Sequence, residues 1–538
     1  MVALENSWGN KQESLISTQQ ATISTWITLL IVIQSIVIVL PLWLTWHFPN
    51  QNGLLYMLAI HVLKDFNNPI YNFAQFHNKF FLVVPNLTFH SLVYFLSFFF
   101  PLTIAYKVMV TINMVLVPVA LFYFIKAIKP ENLLYGFVGY VYSYSYFLLK
   151  GYDTFIISFI FFLFYFLNFY RWLHSGRIKS LLMMLLFCTL IYLSHIYTFL
   201  MAFFVSLIFL FIKEFSAQKI KKVLYVFLPG FLLFARYLYF VYNQPVESFG
   251  GNPYKFFKLH WIISDFFQMD MYSYSMVFVF LFWAGYGYIF FPFIKDLFQK
   301  LKQFLTLSTP LKVKIKQFAR EHPFHLLWVL LCVFYFLSPR EILGWGKFNI
   351  RVLPFMLFFS LVAAPALKSV RLQKLFLLTV FVASIIASVV LHQEIRKINT
   401  ELNEYLSGIP YIENGKRLLP IHLEDYKVGK IRPLNWAYNF YTLEKGGTTW
   451  RCAIFGFPGR VPVHYNQPIR MNEKGRIGAL HPKKPEDIDE EYILDQYDYM
   501  LIWGNNEKVI AALEKLASEQ LFINGKLRIY KLKSKPRG

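Results

Sequence analysis

Residues 47–101 read HFPNQNGLLYMLAIHVLKDFNNPIYNFAQFHNKFFLVVPNLTFHSLVYFLSFFFP, and the reading of this stretch decides the fold. Pro and Asn interrupt it too often for one spanning helix, and it is too aromatic for a free linker. Short pieces such as Leu54 to Leu63 have the make-up of interfacial helices. Their apolar faces would sit in the acyl boundary, with Lys64 and Asp65 in water.

The surrounding chain is 57% hydrophobic and 20% aromatic, with 60 Phe, and it contains repeated apolar runs of membrane-spanning length. That pattern identifies an all-α polytopic membrane protein. A net charge of +23 would suggest nucleic acid in a soluble protein. Here Lys and Arg crowd into loops between spans and form no basic stripe elsewhere. The expected partner is therefore the lipid bilayer and not nucleic acid. The polar N-terminus has no basic n-region and no small-residue cleavage site, so the first helix is expected to stay. Cys188 and Cys332 lie inside apolar runs, with Cys452 beyond them, and imply no disulfide framework.

About eleven spans are expected. The first covers 21–46, and after the long loop come 102–125, 133–149 and 154–170. The apolar run 181–212 is too long for one crossing of a ~30 Å core at ~1.5 Å per residue, so it must turn, at Ser194-His195. Further spans cover 223–242, with Pro229 and Arg236, and 274–294; a ninth ends near Pro339, a tenth follows Arg351, and an eleventh ends near His392. With a cytoplasmic N-terminus, the loops 126–129, 171–179, 213–222, 295–320 and 368–374 face inward, and they hold almost all the loop Lys and Arg. The same count puts the 47–101 loop outside, provided that Asn86 to Pro101 does not cross.

Two domains are expected: a transmembrane domain, 1–392, and a small extracytoplasmic α/β domain, 393–538. In the latter YDYMLIWG (497–504) reads as a buried strand, and NNEKVIAALEKLASEQ (505–520) as a helix with Asn505 near its N-cap. LFINGKLRIYKL reads as a hairpin turned at Asn524-Gly525. This domain carries no Gly-rich phosphate loop, metal-spaced His or Cys, or GxSxG.

The topology leaves a short set of outward polar residues. They are Asp65, His61, His77 and His90 in the first loop, Lys150 and Asp153, and His195 at the hairpin tip. His260, Asp265 and Asp270 follow in the 243–273 loop, then Arg340, Glu341, Lys347 and Arg351 before the tenth span. Arg236 lies near the outer end of its helix, within reach of the same cavity. A carboxylate among several cations suits an anionic lipid-phosphate substrate. Structural roles compete: Asp153 as a helix N-cap, His195 as a bridge of its turn, Arg351 and Lys347 as interfacial anchors, Asp65 as a solvated helix end.

One helix, a long interfacial outer loop, many short spans and an outer soluble domain accompany five local stretches. These are VVPNLTFHSL (83–92), IAYKV (104–108) leading to VPVALFYFIKAI, GYD (151–153), YLSHIYTF (192–199) and GKFNIRVLPF (346–355). Together they resemble the GT-C superfamily of membrane glycosyltransferases, and more closely its uncharacterised prokaryotic members. The resemblance implies transfer of a sugar, with inversion, from a polyprenyl-phosphate carrier to a glycan, lipid or protein acceptor outside a prokaryotic plasma membrane. It implies an acid of the first loop as general base, and basic residues holding the leaving lipid phosphate. The family usually has that acid just after the first helix, where this chain has Pro49-Asn50-Gln51-Asn52. Asp65 is the only acid in the loop and becomes the first candidate base, followed by Asp153 and Asp265. Arg351, Lys347 and Arg236, with His195 and Arg340, are the substrate-binding candidates. A divalent metal is compatible with this reading, and nothing in the sequence requires one. Two other readings stand beside it: a catalytically inactive protein of the same fold serving an envelope complex, and a transporter, for which inverted repeats are missing.

Overall fold

Among the described residues seven helices are long and apolar enough to cross a membrane. They are Thr25–Trp43, Leu102–Ile128, Asp153–Ser175, Ile196–Lys213, Ala217–Phe240, Val277–Thr306 and the long helix beginning at Val370. The shorter apolar helices Ile178–Ser194, Pro323–Leu337 and Asn349–Ala363 accompany them. This is a computed structural model, and it describes residues 25–80, 83–213, 216–243, 254–255, 259–306, 308, 310–342, 345–456, 461–466 and 479–533. The expected polar N-terminal stretch and much of the 243–258 segment lie outside the described residues. The protein is a polytopic helical membrane protein with a small strand-containing C-terminal region.

The run 181–212 does fold as a hairpin. His195, at φ −163° and ψ 120°, ends one helix, and the next begins at Ile196. The run 133–149, expected to span, does not form one helix. It folds as a 3-10 turn, Pro130–Phe137, and two short helices, Val138–Tyr142 and Tyr146–Lys150. Its glycines and serines weaken a helix, and its polar groups find partners in neighbouring segments instead. Ser143 Oγ donates to the Met114 carbonyl at 3.0 Å, and Tyr144 Oη to the Ile38 carbonyl at 2.7 Å.

The Gly53–Lys64 helix also departs from expectation. It is enclosed in protein rather than laid on lipid. Leu54, Met57 and Ile60 join the core of the membrane half, while Leu55, Leu58, Ala59 and Val62 join the core of the C-terminal domain. Apolar residues surround this helix, so it is stable only when covered on both sides.

The helix Val370–Leu406 continues past His392 without a break, and its 37 residues extend about 55 Å. It leads into a four-stranded sheet. Leu418–His422 runs parallel to Tyr499–Trp503, which is antiparallel to Leu527–Leu532, with Ala517–Asn524 at the edge. The strand at 499–503 and the turn at Asn524-Gly525 match expectation. The expected 505–520 helix spans only Glu507–Glu514, capped by Asn506 rather than Asn505. Residues from Ala517 instead extend the hairpin, pairing with Leu532, because the ladder satisfies their backbone groups.

The two ends of the bundle differ. At one end Lys129 Nζ donates to the Ala364 carbonyl, and Asp296 meets Lys300 and His325. The other end gathers the first loop, residues 150–153, His195, the 347–351 segment and the C-terminal domain.

A turn of the C-terminal domain, Val428 to Ile431, docks against the 265–274 segment. Lys430 N–H donates to the Ser273 carbonyl at 2.8 Å, and Lys430 Nζ pairs with Asp265 at 2.8 Å. Gly429 has φ +55°, and a Cβ there would collide with the Ser273 and Tyr274 carbonyls. Gly429→Ala should therefore cost on the order of 1–3 kcal/mol and undock the turn. The expected readout is a lower melting temperature in detergent and faster proteolysis of residues 425–436 than in the wild type.

Candidate active site

Asp153 opens the Asp153–Ser175 helix and is fully buried. The N-cap role that competes with a catalytic one for Asp153 falls instead to Tyr152, and Asp153 is the first helical residue. Its Oδ2 accepts from Tyr106 Oη at 2.5 Å, and Tyr106 Oη accepts in turn from Asn50 Nδ2 at 2.6 Å. Asn113 Nδ2 holds the Asp153 carbonyl at 3.2 Å. Asp153 Oδ1 and Asn50 Oδ1 are buried and have no hydrogen-bond partner among the described residues. Gly53 makes the arrangement possible, since a Cβ at that position would run into Asn50 Oδ1 and Tyr106 Oη.

Arg351, at the end of the 3-10 turn Asn349–Val352, is buried beside the same helix start. Its guanidinium carbon lies 5.2 Å from the Tyr152 ring and 5.4 Å from the Phe155 ring. Arg351 Nη1 donates to His195 Nε2 at 2.8 Å. Arginine can only donate, so His195 Nε2 is the acceptor and the ring proton sits on Nδ1. Burial, reinforced by the Arg351 charge, pushes the imidazole well below its usual range and keeps it neutral. Arg351 Nε and His195 Nδ1 then face the interior as donors without an acceptor among the described residues. Burial raises the Tyr56 phenol, the Asp153 charge raises it further, and the Arg351 charge opposes the shift.

A second charged group flanks these. Lys347 Nζ lies 3.5 Å from the centroid of the Tyr146 ring, and Tyr146 and Tyr152 have ring centroids 6.4 Å apart. Burial lowers Lys347 to about 7, and the nearby Asp270 works against that shift. Asp270 is pushed up by burial, against the pull of Lys347 and Lys430. Its carbonyl accepts from Tyr146 N–H at 2.7 Å, and its Oδ2 has no partner among the described residues. Arg340, half-buried, contributes its charge to the same Tyr146.

The other sequence candidates stand apart. Asp65, just past the far end of the Gly53–Lys64 helix, lies 2.9 Å from His61 Nδ1. Twelve helical residues separate it from Asn52, roughly 18 Å. Arg236 is exposed on its helix and makes no hydrogen bond or ion pair among the described residues. Asp265 is engaged by Lys430. His77 and His90 are buried and bond local carbonyls. Among the described residues no three His, Cys, Asp or Glu side chains stand together as metal ligands. Sequence reasoning missed Tyr106 as a functional residue and took Asn50 only as a missing acid. The one available signal was a tyrosine beside a lysine in the quoted IAYKV stretch.

A narrow cleft opens next to this chain, lined by Asn50, Tyr106 and Lys107 with Trp46, Pro433 and Phe440 among its walls. It lies where the first span, the first loop and the C-terminal domain meet.

Compared with solved structures, the chain matches the crystal structure of apo ArnT from Cupriavidus metallidurans over 96% of its own length and 100% of that chain, with a TM-score of 0.50 and 9% identity. The chain shares the ArnT fold. ArnT is a membrane glycosyltransferase of the GT-C family. A second ArnT structure, bound to undecaprenyl phosphate, matches over the same shares with a TM-score of 0.48 and 9% identity. No protein-family model and no curated protein matches the chain.

Lys150 gives the region a pH signature. Its Nζ donates to Gln51 Oε1 at 2.6 Å, while burial and the Arg432 charge lower it from 10.5 to about 8. Between those two values the unfolded chain binds more protons than the folded one. Lys150 therefore contributes stability that grows as pH rises through that window and is absent below it. Melting measured from about pH 7.5 to 10 should rise less steeply with pH in Lys150→Met than in the wild type.

Proposed function

We propose that this protein is a membrane glycosyltransferase that moves a sugar from a polyprenyl-phosphate carrier to an acceptor on the outer face. The carrying observation is the pair of buried donors without acceptors, Arg351 Nε and His195 Nδ1, beside a helix start whose carboxylate has an unpartnered oxygen. Buried polar groups left unpaired cost stability, so a ligand that pairs them is the economical explanation of their presence. Anionic phosphate oxygens match the two donors, and a hydroxyl-bearing acceptor matches the carboxylate side.

In this reading Arg351, which stays charged, stabilises the negative charge that builds on the leaving phosphate. His195 supplies a neutral donor and fixes the guanidinium. Lys347 and Arg340 flank the Tyr146 and Tyr152 rings and extend the cationic wall. The acceptor oxygen bonds to the sugar's anomeric carbon while the bond from that carbon to the phosphate oxygen breaks, inverting the centre. The electron pair leaves with the polyprenyl phosphate, and Asp153 takes up the acceptor's proton. Asp153 is preferred to Asp65 because Asp65 is paired with His61 at the far end of its helix. The basic connections gather at the opposite end of the bundle, which favours an extracytoplasmic site and outer domain. No step in this scheme needs a metal.

The test uses purified protein in proteoliposomes with a panel of undecaprenyl-phosphate-linked ¹⁴C-labelled sugars, reading label that leaves the carrier. Asp153→Asn should lower transfer by about a hundredfold or more. Arg351→Ala should weaken undecaprenyl phosphate binding at least about tenfold. Asp65→Asn should keep most activity. Wild-type protein that neither transfers any sugar of the panel nor binds undecaprenyl phosphate would refute the enzyme and leave the inactive envelope partner.

A further inference from the structure

The carboxylate assigned as the base is 0% exposed, so an acceptor cannot lie against it without passing another group. That group is Tyr106. It forms part of the wall of the cleft on one side, and its hydroxyl donates to Asp153 on the other, at 2.5 Å. Asn50 also lines the cleft; its amide nitrogen donates to the same phenol oxygen at 2.6 Å, and its Oδ1 is buried without a partner among the described residues. The cleft borders the end of the first span, with Trp46, 82% exposed, Phe48, Leu54 and Met57 among its lining residues. An apolar rim of that kind suits a molecule arriving from the bilayer and not from water.

We infer that this cleft receives a hydroxyl-bearing lipid as acceptor and that Tyr106 relays the acceptor's proton to Asp153. The inference rests on the glycosyltransferase reading above. The phenol oxygen accepts one hydrogen bond from Asn50 and has capacity for a second, from the acceptor hydroxyl. As the acceptor oxygen bonds to the anomeric carbon, its proton passes to Tyr106 Oη and the phenol's own proton passes to Asp153 Oδ2. The carbon–phosphate oxygen bond breaks in the same step, and its electron pair leaves on the polyprenyl phosphate. Tyr106 ends neutral, Asp153 ends protonated, and the phosphate gains the charge that the carboxylate lost. Asn50 Oδ1 is left to accept from a neighbouring hydroxyl of the acceptor. The chain thus works with asparagine where related enzymes have an acid, because the carboxylate sits one hydrogen bond further back.

The same proteoliposomes test this, made with total bacterial lipids and read for label in organic-extractable products other than the donor. Tyr106→Phe should lose transfer by about a hundredfold while undecaprenyl phosphate binding stays within about twofold. In the double variant Asn50→Asp/Tyr106→Phe, a carboxylate borders the cleft directly, and transfer should recover about tenfold over Tyr106→Phe. A purely structural tyrosine would show no such rescue. If Tyr106→Phe does not fold, 3,5-difluorotyrosine at the same position keeps the shape and lowers the phenol's basicity; the pH profile of transfer should then shift. Four results would overturn the relay: Tyr106→Phe keeping more than a tenth of wild-type transfer, a double variant no better than Tyr106→Phe, an unmoved pH profile, or label found only in water-soluble product. Any of these in an active wild type leaves the glycosyltransferase reading standing. A wild type inactive with every donor overturns both.

Discussion

A carboxylate with no exposure can persist only if something inside the protein donates to it, and the hydrogen bond from Tyr106 to Asp153 meets that need. Much of the outer end of the molecule is arranged around this contact. Asn50 supports the phenol, and Gly53 leaves space for both groups. The Gly151 turn brings residues 150–153 against the first loop, where Asn52 N–H donates to the Lys150 carbonyl at 3.1 Å. Three segments distant in sequence are thereby tied together at one helix start.

The C-terminal domain is part of this arrangement and not an appendage. Gln51 Oε1 accepts from Lys150 Nζ at 2.6 Å and from Arg432 N–H at 3.0 Å, so one side chain bridges the membrane half and the domain. Trp436 Nε1 donates to Asn52 Oδ1 at 3.1 Å, and Tyr274 Oη to the Pro49 carbonyl at 2.7 Å. The enclosed Gly53–Lys64 helix, covered on two faces, makes the docking cooperative with the fold of the first loop. A site roofed in this way excludes water, and exclusion of water strengthens the interactions of Arg351 and Asp153 with charge.

The site also carries a cost. Arg351 Nε, His195 Nδ1, Asp153 Oδ1 and Asp270 Oδ2 are buried polar atoms without partners among the described residues, clustered within one end of the bundle. Evolution tolerates such groups where binding later pairs them, and the remainder of the bundle offsets them with a continuous aromatic and aliphatic core.

The sequence by itself determined the class of the protein. Apolar runs read by length, the hairpin at His195, the strand at 499–503 and the turn at Asn524-Gly525 depend on local periodicity and local turn chemistry, which survive without knowledge of neighbours. Asp153, Arg351, His195 and Lys347 were all legible as outward polar residues, because charge inside an apolar chain stands out. Which of them meet was not legible. Burial of the Gly53–Lys64 helix, breakage of the 133–149 run and the pairing of Arg351 with His195 are settled by contacts between segments far apart in the chain. The role of Tyr106 was hidden for the same reason: one tyrosine among 35 acquires meaning only from the carboxylate that its hydroxyl touches, and tertiary structure alone brings residues 50, 106 and 153 within hydrogen-bonding distance.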